Sequence, residues 1–422
     1  MKKITPLRKI DATIEVPGSK SITQRALIAA ALADGNSTLI GPLSSEDTAY
    51  TAMALRAMGV EVESQVTEWL IKGRGGNIKK PANEIFLGNN GTATRFLTSV
   101  AALGNGVFVI SGEKRMEERP IAPLISALQG WGVEIKSIKG TGCPPLEIRA
   151  KGLNGGLTIL PEGKSSQYLS SLLLVAPYAK KKAELQVKGT VPSRPYVTMT
   201  LAVMASFGVR VAANNDLTHF DINQGSYKSR TYQIEGDASS ASYFFAAAAV
   251  TGGRVTVTNV PQKSLQGDTA LVSMLEKMGC QVSYDQGITI KGPKQLNGIE
   301  VDMGDCPDVA PTLAVVAAMA HGRTVIKNVA HLRIKECDRL NAMATELSRL
   351  GVRLEEKSDQ LIIEGVGPGA LHGAEIETYN DHRIAMCLAV AGLVVPGIVI
   401  VNDSCVAKSF PDFWERFAWL RP

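Results

Sequence analysis

The sequence lacks the cysteine patterns of disulfide-stabilised and zinc-binding proteins. Its six cysteines form no CxxC pair and have no histidine partner at the spacing of a zinc site. This usage is typical of reduced cytosolic thiols, and a cysteine inside an apolar segment, such as Cys387, is expected to pack as a small core residue. The sequence therefore predicts neither disulfides nor a metal site.

A strong charge of either sign is also missing. Lysine and arginine number 45 against 40 aspartates and glutamates, and the formal net charge of +5 is mild for 422 residues. No basic run is interleaved with aromatic residues, so nucleic-acid binding is not expected. The small positive excess agrees better with small anionic substrates.

Long hydrophobic runs are scarce. The first 13 residues have no apolar segment of the kind found in signal peptides. Residues 384–401 are long and apolar enough to suggest a membrane span, but Pro396 and Gly397 interrupt them, so we interpret this run as soluble core. We expect a cytoplasmic protein, with enough apolar residues for the cores of two domains.

What the sequence does contain is a unit that recurs six times. Its clearest marker is a glycine that follows an apolar-periodic segment and precedes an alternating strand, at intervals of 71 to 76 residues: Gly59, Gly132, Gly208, Gly279 and Gly351. Each glycine is expected to end a helix in the left-handed conformation. A sixth copy begins at Gly397, and the chain ends within its helix, at 413–420.

A second helix connects each unit to the next. These connecting helices are expected to begin near Ser21, Thr92, Ser166, Ser239, Asp308 and His382. Several are apolar on all sides, as at 246–250 and 313–320, so they belong in the interior with the strands outside. Units packed in threes would give two domains whose helix N-termini, which attract anions, can face each other. At Ser239 and Ser240, helix capping alone is the preferred explanation.

Charged and glycine-rich segments recur between strand and helix. They are 17–25, 88–95, 115–120, 165–167, 193–196, 335–339 and 381–383, with Lys408 in the final loop. A solvated loop would explain any one of them, but their recurrence at the same end of successive units favours an anion-binding site. The arginines in these segments suit carboxylate and phosphate ligands. Segment 17–25 is not a nucleotide-binding P-loop, because its glycine and lysine do not have the required spacing.

Seven segments, over nearly the full chain and in order, resemble the signatures of the 5-enolpyruvylshikimate-3-phosphate (EPSP) synthase family: 17–25, 88–95, 115–120, 165–167, 335–340, 381–383 and 408–412. The resemblance implies an α/β (α+β) fold: a two-domain inside-out α/β barrel with six βαβαββ repeats, three per domain. Domain 1 would comprise 1–18 and 237–422 and domain 2 would comprise 19–236, with the active site in the inter-domain cleft. A monomer without metal or organic cofactor is expected.

The same resemblance implies transfer of the enolpyruvyl group of phosphoenolpyruvate to the 5-hydroxyl of shikimate 3-phosphate, with release of phosphate, on the pathway to chorismate and aromatic amino acids. Residues expected to hold shikimate 3-phosphate are Lys20, Ser21, Arg25, Ser165, Ser166, Ser193, Tyr196, Asp308, His331 and Lys335. Those expected to hold phosphoenolpyruvate are Lys20, Asn89, Gly91, Arg119, Gln167, Arg339, Arg383 and Lys408.

The sequence departs from the common family pattern at two positions. His331 stands where the family often has asparagine, in contact with the shikimate substrate. Phe96 follows Arg95 where many members have proline, beside the Gly91 loop whose shape bears on inhibition by glyphosate.

The reaction implied by the resemblance needs groups that move protons. Asp308 is the expected base at the 5-hydroxyl, Glu336 is expected to transfer the proton at the methyl carbon, and Lys20 is expected to act as an acid at the bridging oxygen. Burial and cationic neighbours shift the pKa of a carboxylate in opposite directions, and the sequence leaves that balance open.

Two alternatives share the architecture. A related enolpyruvyl transferase acts on a UDP-sugar, but its loop carries a reactive cysteine that 115–120 does not have. A catalytically silent anion-binding protein would bind both substrates without turnover. Both expected carboxylates and all the matched cations are present, which argues against that second alternative.

Overall fold

A computed structural model describes residues 1–7, 10–161 and 165–421. The chain divides into two compact units. Unit 1 comprises Met1–Pro17 and Glu235–Pro422, and unit 2 comprises Gly18–Ile234. Two strands of unit 1 come first in the chain: β1 (Lys2–Lys3) and β2 (Asp11–Ile14).

Unit 2 follows as three successive groups of elements. The first group is α1 (Lys20–Leu32), β3 (Asp34–Ile40), α2 (Glu46–Ala57), β4 (Glu61–Ser64) and β5 (Glu68–Arg74). The second is β6 (Ile85–Phe86), α3 (Gly91–Ala102), β7 (Asn105–Ser111), α4 (Ala122–Gly130), β8 (Glu134–Ser137) and β9 (Leu146–Lys151). The third is β10 (Gly156–Leu160), α5 (Ser166–Val175), β11 (Ala183–Val187), α6 (Arg194–Ser206), β12 (Ala212–Ala213) and β13 (His219–Ile222), and β14 (Thr231–Gln233) closes the unit.

The rest of unit 1 repeats this order. Its first group is α7 (Ala238–Thr251), β15 (Arg254–Val257), α8 (Ala270–Lys277), β16 (Gln281–Ser283) and β17 (Ile288–Lys291). Its second is β18 (Glu300–Asp302), α9 (Ala310–Met319), β19 (His321–Lys327), α10 (Arg339–Arg349), β20 (Arg353–Glu356) and β21 (Leu361–Val366). Its third is β22 (Glu375–Ile376), α11 (His382–Ala391), β23 (Val399–Ile400) and α12 (Phe413–Ala418).

Among the described residues, five four-stranded sheets share one strand order, and a sixth sheet has three strands, β1-β23-β22. In the sheet β6-β7-β9-β8, β6 lies parallel to β7, β9 pairs antiparallel with β7, and β8 forms the edge. Three sheets contain a strand from a distant part of the chain, and in one of them β1 pairs antiparallel with β23, with Lys2 opposite Ile400. Strand β14 lies parallel to β3, with Thr231 opposite Thr38, and β2 lies parallel to β15, with Asp11 opposite Arg254.

The connecting helices form the core of each unit. In unit 1, α7, α9 and α11 contact one another, and in unit 2, α1, α3 and α5 do the same. All ten residues of α9 are buried. Strands bury one face only: along β15, Val255 and Val257 are buried whereas Arg254 is exposed. The helices are therefore inside and the strands outside, which is the two-domain inside-out α/β fold predicted from the sequence.

Local predictions are confirmed in most places. The five corner glycines have φ between +82° and +110°, and every connecting helix begins within about two residues of its predicted start. The last helix ends at Ala418, two residues before the predicted end. No helix among the described residues is long and apolar enough to cross a membrane. Within the apolar run 384–401, α11 ends at Ala391.

The capping explanation for Ser239 and Ser240 is wrong. Asp237 is the N-cap of α7, and its Oδ1 accepts a hydrogen bond from the backbone N–H of Ser240 at 2.7 Å. The Ser239 hydroxyl instead donates a short hydrogen bond to the carboxylate of Asp268. Asp237 lies two residues before the predicted start. Its backbone is still extended, as an N-cap requires, whereas Ser239 and Ser240 already lie within the helix.

Candidate active site

The start of helix α1 in unit 2 holds Lys20 against an acidic residue of α2. Ser19 caps α1 by accepting a hydrogen bond from the backbone N–H of Ile22 at 3.4 Å. Lys20 is the first helical residue, and its Nζ lies 3.2 Å from Oδ2 of Asp47. The two side chains are only 15% and 3% exposed. A cation beside the free N–H groups of a helix N-terminus suits an anionic ligand.

Asp47 also joins two helix starts. Its carbonyl oxygen accepts a hydrogen bond from Nδ2 of Asn90 at 2.7 Å, and Asn90 is the N-cap of α3. Sequence reasoning missed Asp47 because it lies in the first turn of α2, where acidic residues are common, behind the capping box of Ser45 and Thr48. A capping box is a sufficient local explanation for an acidic helix start.

Arg25 connects three helices of unit 2 through neutral oxygens. Its Nε donates to Oγ1 of Thr200 at 2.7 Å, and its Nη1 donates to the carbonyl of Ser21 at 2.8 Å. Its Nη2 lies 3.2 Å from the carbonyl of Tyr196 and 3.4 Å from the hydroxyl of Ser170. Burial lowers the pKa of Arg25 to about 10, so the guanidinium stays charged at neutral pH. Its positive charge is available to an anionic ligand.

Phe96, one of the two departures from the family pattern, lies against Arg25. The guanidinium carbon is 5.3 Å from the centroid of the Phe96 ring and 5.8 Å from that of the Tyr196 ring. Cation–π contacts of this length stabilise a buried arginine without neutralising it. The aromatic side chain therefore supports Arg25.

The glycine-rich loop before α3 packs closely against the side chain of Arg119. Gly91 is the first residue of α3, and a Cβ added there would overlap the guanidinium of Arg119. Nη1 of Arg119 donates to both the carbonyl and the side-chain oxygen of Asn89, each at 3.0 Å. Arg119 is buried, so the loop holds a cation close to the N-terminus of α3.

The starts of α5 and α6 supply hydroxyl and amide groups. Ser165 caps α5 and Ser166 is its first residue, while Nε2 of Gln167 donates to the hydroxyl of Thr92 on α3 at 3.1 Å. Ser193 is the N-cap of α6 with φ of +51°, a left-handed conformation that is uncommon for serine. Outliers of this kind concentrate at functional sites.

In unit 1, a single buried arginine gathers three carboxylates. Arg339 is 1% exposed, and its Nε lies 2.8 Å from Oδ2 of Asp381. Its Nη2 lies 2.7 Å from Oε2 of Glu336, and its Nη1 lies 3.1 Å from Oδ1 of Asp308. The pKa of Arg339 is raised because the attraction of the carboxylates exceeds the effect of burial. Arg339 therefore fixes both carboxylates that were expected to move protons.

Asp308 is held by cations on several sides. It lies in a 3-10 turn, Pro307–Val309, just before α9, and its Oδ2 lies 2.9 Å from Nη2 of Arg383. Nζ of Lys335 is 3.5 Å from its Oδ1. Burial raises the pKa of Asp308, but Arg383, Lys335 and Arg339 together hold it well below its usual range. The sequence left open whether burial or cationic neighbours have the larger effect. For Asp308, the attraction of the cations exceeds the effect of burial.

Asp381 organises the start of α11. It is fully buried and caps the helix, and its Oδ1 accepts a hydrogen bond from the backbone N–H of Arg383 at 2.9 Å. The same carboxylate binds Arg339, so the two arginines are positioned by one acidic side chain. Lys408 ends the 3-10 turn Asp403–Lys408, which packs against α11, and its side chain is buried.

His331, the other departure from the family pattern, lies in the 3-10 helix Ala330–Ile334, four residues before Lys335. Burial lowers the pKa of His331 to about 4, and the charge of Lys335 acts in the same direction. The imidazole is neutral at neutral pH. Its Nε2 has no hydrogen-bond partner in the described part of the chain, so it can donate to or accept from a ligand.

Asp268 is a further carboxylate of this cluster that sequence reasoning missed. It lies in the 3-10 turn Gly267–Thr269, which packs against the turn of Asp308, and accepts a hydrogen bond from Ser239. Burial raises the pKa of Asp268 to about 6, and the negative charge of Asp308 adds to that rise while Arg383 opposes it. Gly267-Asp268-Thr269 has the composition of an ordinary turn, so only the three-dimensional contacts identify it.

The structure thus groups the predicted residues within each unit. In unit 2 the group lies at and just before the starts of α1, α3, α5 and α6, and Arg119 joins it through its contacts with Asn89: Lys20, Ser21, Arg25, Asn89, Gly91, Arg119, Ser165, Ser166, Gln167, Ser193 and Tyr196. In unit 1 the group lies near the starts of α9, α10 and α11: Asp308, His331, Lys335, Glu336, Arg339, Arg383 and Lys408. Among the described residues, no cluster of three or more histidines, cysteines, aspartates or glutamates could hold a metal ion.

Comparison with known proteins gives a consistent result. The profile of the family described as EPSP synthase (3-phosphoshikimate 1-carboxyvinyltransferase) matches residues 4–417. A 3-phosphoshikimate 1-carboxyvinyltransferase from Trichormus variabilis is 46% identical over 414 residues, which cover 97% of this chain and 96% of that protein. A 3-phosphoshikimate 1-carboxyvinyltransferase from Shewanella loihica is 44% identical over 425 residues. The match covers 99% of this chain and 99% of that protein.

Solved structures agree. The EPSP synthase of Acinetobacter baumannii, determined at 2.37 Å, superimposes with a TM-score of 0.82 at 31% sequence identity. The match covers 98% of this chain and 97% of that one.

Proposed function

The chain belongs to the EPSP synthase family, and from this premise we propose which of its residues bind the two substrates and move the protons. It is a 3-phosphoshikimate 1-carboxyvinyltransferase: it transfers the enolpyruvyl group of phosphoenolpyruvate to the 5-hydroxyl of shikimate 3-phosphate and releases phosphate, in aromatic amino-acid biosynthesis. The observation that carries the proposed roles is the buried cluster in which Arg339 contacts Asp308 and Glu336.

For shikimate 3-phosphate, the contacts we assign use hydroxyl groups and a few cations. In unit 2, Arg25 is the main cation, because the oxygens that it contacts in the described part of the chain are neutral. The remaining assigned residues are Lys20, Ser21, Ser165, Ser166, Ser193 and Tyr196 in unit 2 and Asp308, His331 and Lys335 in unit 1. The phosphate suits arginine and helix N-termini, and the ring hydroxyls suit neutral donors and acceptors.

For phosphoenolpyruvate, the assigned contacts are mostly cationic. They are Lys20, Asn89, Gly91, Arg119 and Gln167 in unit 2 and Arg339, Arg383 and Lys408 in unit 1. A carboxylate and a phosphate in one small molecule require several fixed cations, and buried arginines keep their charge in a low-dielectric site. Arg119, Arg339 and Arg383 are all buried.

In the addition step, Asp308 takes the proton of the 5-hydroxyl while the hydroxyl oxygen bonds to C2 of phosphoenolpyruvate, and Glu336 transfers a proton to C3. In the elimination step, Glu336 removes a proton from C3, the C2–O bond to phosphate breaks, and Lys20 protonates the bridging oxygen. The low pKa of Asp308 makes it a weak base in the free protein. Substrate anions that bind Arg383 and Lys335 offset the charges that lower this pKa, so it rises when a base is needed.

We also assign a cytoplasmic, monomeric enzyme that needs no metal or organic cofactor. The family membership supports this assignment. Sedimentation over a tenfold range of protein concentration tests the monomer: a constant value near that of 45.0 kDa is expected, and concentration-dependent growth would contradict it.

Phosphate release tests the reaction and the role of Asp308 together. Release from phosphoenolpyruvate is expected only when shikimate 3-phosphate is also present. Asp308→Asn, which keeps the shape of the side chain, is expected to lower kcat at least about 100-fold. The matched control is Glu364→Gln, an exposed carboxylate on β21. Saturable binding of both substrates without release would instead support a catalytically silent protein.

A further inference from the structure

Glu346 on α10 is a fully buried carboxylate outside the two groups assigned above. Its Oε1 accepts a hydrogen bond from the hydroxyl of Tyr379 at 2.9 Å, and its Oε2 accepts one from the backbone N–H of Glu377 at 3.2 Å. Nη1 of Arg349 lies 3.2 Å from the same Oε2. A buried carboxylate requires such partners, because it is costly to desolvate.

The segment that Glu346 holds is a strained turn. Tyr379 and Asn380 have φ of +54° and +52°, and the backbone N–H of Asp381 donates to the carbonyl of Thr378 at 2.8 Å. Two consecutive residues with positive φ define a type I′ turn, which favours glycine or asparagine. A tyrosine at its first central position is disfavoured, and such a conformation persists only where surrounding contacts hold it.

This turn leads to two of the cations assigned to phosphoenolpyruvate. On one side it continues into Asp381, which caps α11 and accepts a hydrogen bond from the backbone N–H of Arg383. On the other side, the side-chain oxygen of Asn380 accepts a hydrogen bond from Nδ2 of Asn402 at 3.1 Å. Asn402, also left-handed, is the N-cap of the turn that ends at Lys408.

We propose that Glu346 is a positioning residue for phosphoenolpyruvate: its carboxylate locks the left-handed turn at Tyr379 and Asn380 that sets the positions of Arg383 and Lys408. This rests on the proposed function, in which those two cations bind that substrate. Glu346 touches neither substrate and acts only through the turn.

A purely structural role for Glu346 would depend on its ion pair within α10. Arg349 is 46% exposed and three residues along the same helix, so solvent screens this pair. The other hydrogen bonds of Glu346 come from the backbone of residue 377 and the side chain of residue 379, both outside α10. The geometry therefore directs its effect to the turn rather than to the helix.

Three variants separate these roles when KM is measured for each substrate beside kcat and thermal unfolding. Glu346→Gln keeps both contacts, because its oxygen accepts from Glu377 and its amide donates to the oxygen of Tyr379, so both KM values are expected within about threefold of wild type. Glu346→Leu removes both acceptors and is expected to raise the KM for phosphoenolpyruvate about tenfold or more, with a much smaller change for shikimate 3-phosphate. Glu364→Gln is the control and is expected to change neither.

A second substitution at the turn makes the test specific. Tyr379→Gly permits positive φ without support, so in the Glu346→Leu background it is expected to bring the KM for phosphoenolpyruvate back toward wild type, although it removes a packed side chain and does not restore the unfolding temperature. If Glu346→Leu does not fold, Tyr379→Phe replaces it. That variant loses only the hydroxyl and is expected to raise the same KM about threefold.

The proposal is overturned if the KM values for both substrates rise together, if the glycine variant recovers nothing, or if Tyr379→Phe leaves the KM for phosphoenolpyruvate unchanged. A wild-type protein that releases no phosphate would contradict the proposed function instead, and the two failures are thereby distinguished.

Discussion

Nη2 of Arg383 lies 2.9 Å from Oδ2 of Asp308, and both groups are largely buried. The arginine that we assign to phosphoenolpyruvate thus directly controls the carboxylate that we assign to the 5-hydroxyl. We therefore expect binding of one substrate to change the basicity of the group that activates the other. This coupling requires the substrate anion to compete with Asp308 for the same guanidinium.

Replacing Arg383 with glutamine should expose that coupling. The KM for phosphoenolpyruvate is expected to rise about 10- to 100-fold, because a charged hydrogen-bond donor is lost. The pKa of Asp308 should rise at the same time, since the guanidinium that lies 2.9 Å from its Oδ2 and lowers this pKa is gone. The pH profile of kcat/KM checks this: its acidic limb should move to higher pH than in wild type. An unmoved acidic limb would contradict the coupling.

Gly91→Ala should weaken phosphoenolpyruvate binding without unfolding the protein. The added methyl group meets the flexible end of Arg119, which must leave its contacts with Asn89. The KM for phosphoenolpyruvate is expected to rise about tenfold while that for shikimate 3-phosphate changes little. Gly225→Ala is the matched control, because a Cβ there meets nothing within 4 Å. Equal effects of the two substitutions would show that Arg119 is not responsible.

Arg25→Lys should affect the other substrate. A lysine has one nitrogen where the guanidinium has three, so it cannot make all the hydrogen bonds that Arg25 makes to Thr200, Ser21 and Tyr196. The KM for shikimate 3-phosphate is expected to rise about tenfold, and the free energy of unfolding should fall by about 1 kcal/mol. The exposed Arg254→Lys, paired with Asp11 on the neighbouring strand, is the control. Unchanged substrate binding in Arg25→Lys would remove Arg25 from the site.

Asp268 should make stability depend on pH. Its pKa is about 6 in the folded protein, above the usual value, because burial and Asp308 disfavour the charged form. A raised folded-state pKa adds stability that is complete below the unfolded-state pKa and is lost as pH rises through about 6. Asp268→Asn, which can still accept from Ser239, is therefore expected to be more stable than wild type at pH 8 by about 1–2 kcal/mol.

At pH 4 this advantage of Asp268→Asn should largely vanish, because the wild-type carboxyl is then protonated in the folded state. Urea unfolding at both values of pH measures the difference. An advantage of equal size at pH 4 and pH 8 would mean that the ionisation of Asp268 is not the cause.

Much of the fold could be predicted from the sequence because its signals are local. A left-handed glycine such as Gly279 ends a helix whatever surrounds it, and an Ala/Val-rich segment such as 313–320 has no polar face to present to water. The long-range pairing of β2 with β15 and of β14 with β3 could not be predicted from local signals. Nothing within β2 or β14 shows that each pairs with a strand of a repeat far away in the chain.

The candidate site divides in the same way. Lys20, Arg119 and Arg339 lie in recognisable motifs, and the structure groups them with the other predicted residues of their units. Asp47 and Asp268 resemble ordinary helix and turn residues until their contacts are seen, since their roles depend on partners at long sequence separation. The cap of α7 was misassigned because serine and aspartate are both good caps, and only the backbone conformation distinguishes them.

The pairing of β2 with β15 has a consequence for the order of synthesis. Strand β2 leaves the ribosome early but cannot find its partner until Arg254–Val257 has been made. All of unit 2, including β14, is translated in that interval and can close its own sheets first. Domains generally fold as they emerge, and contacts that span a long loop form slowly. Because the N-terminal strand stays unpaired until then, we expect nascent unit 1, rather than unit 2, to need protection from aggregation.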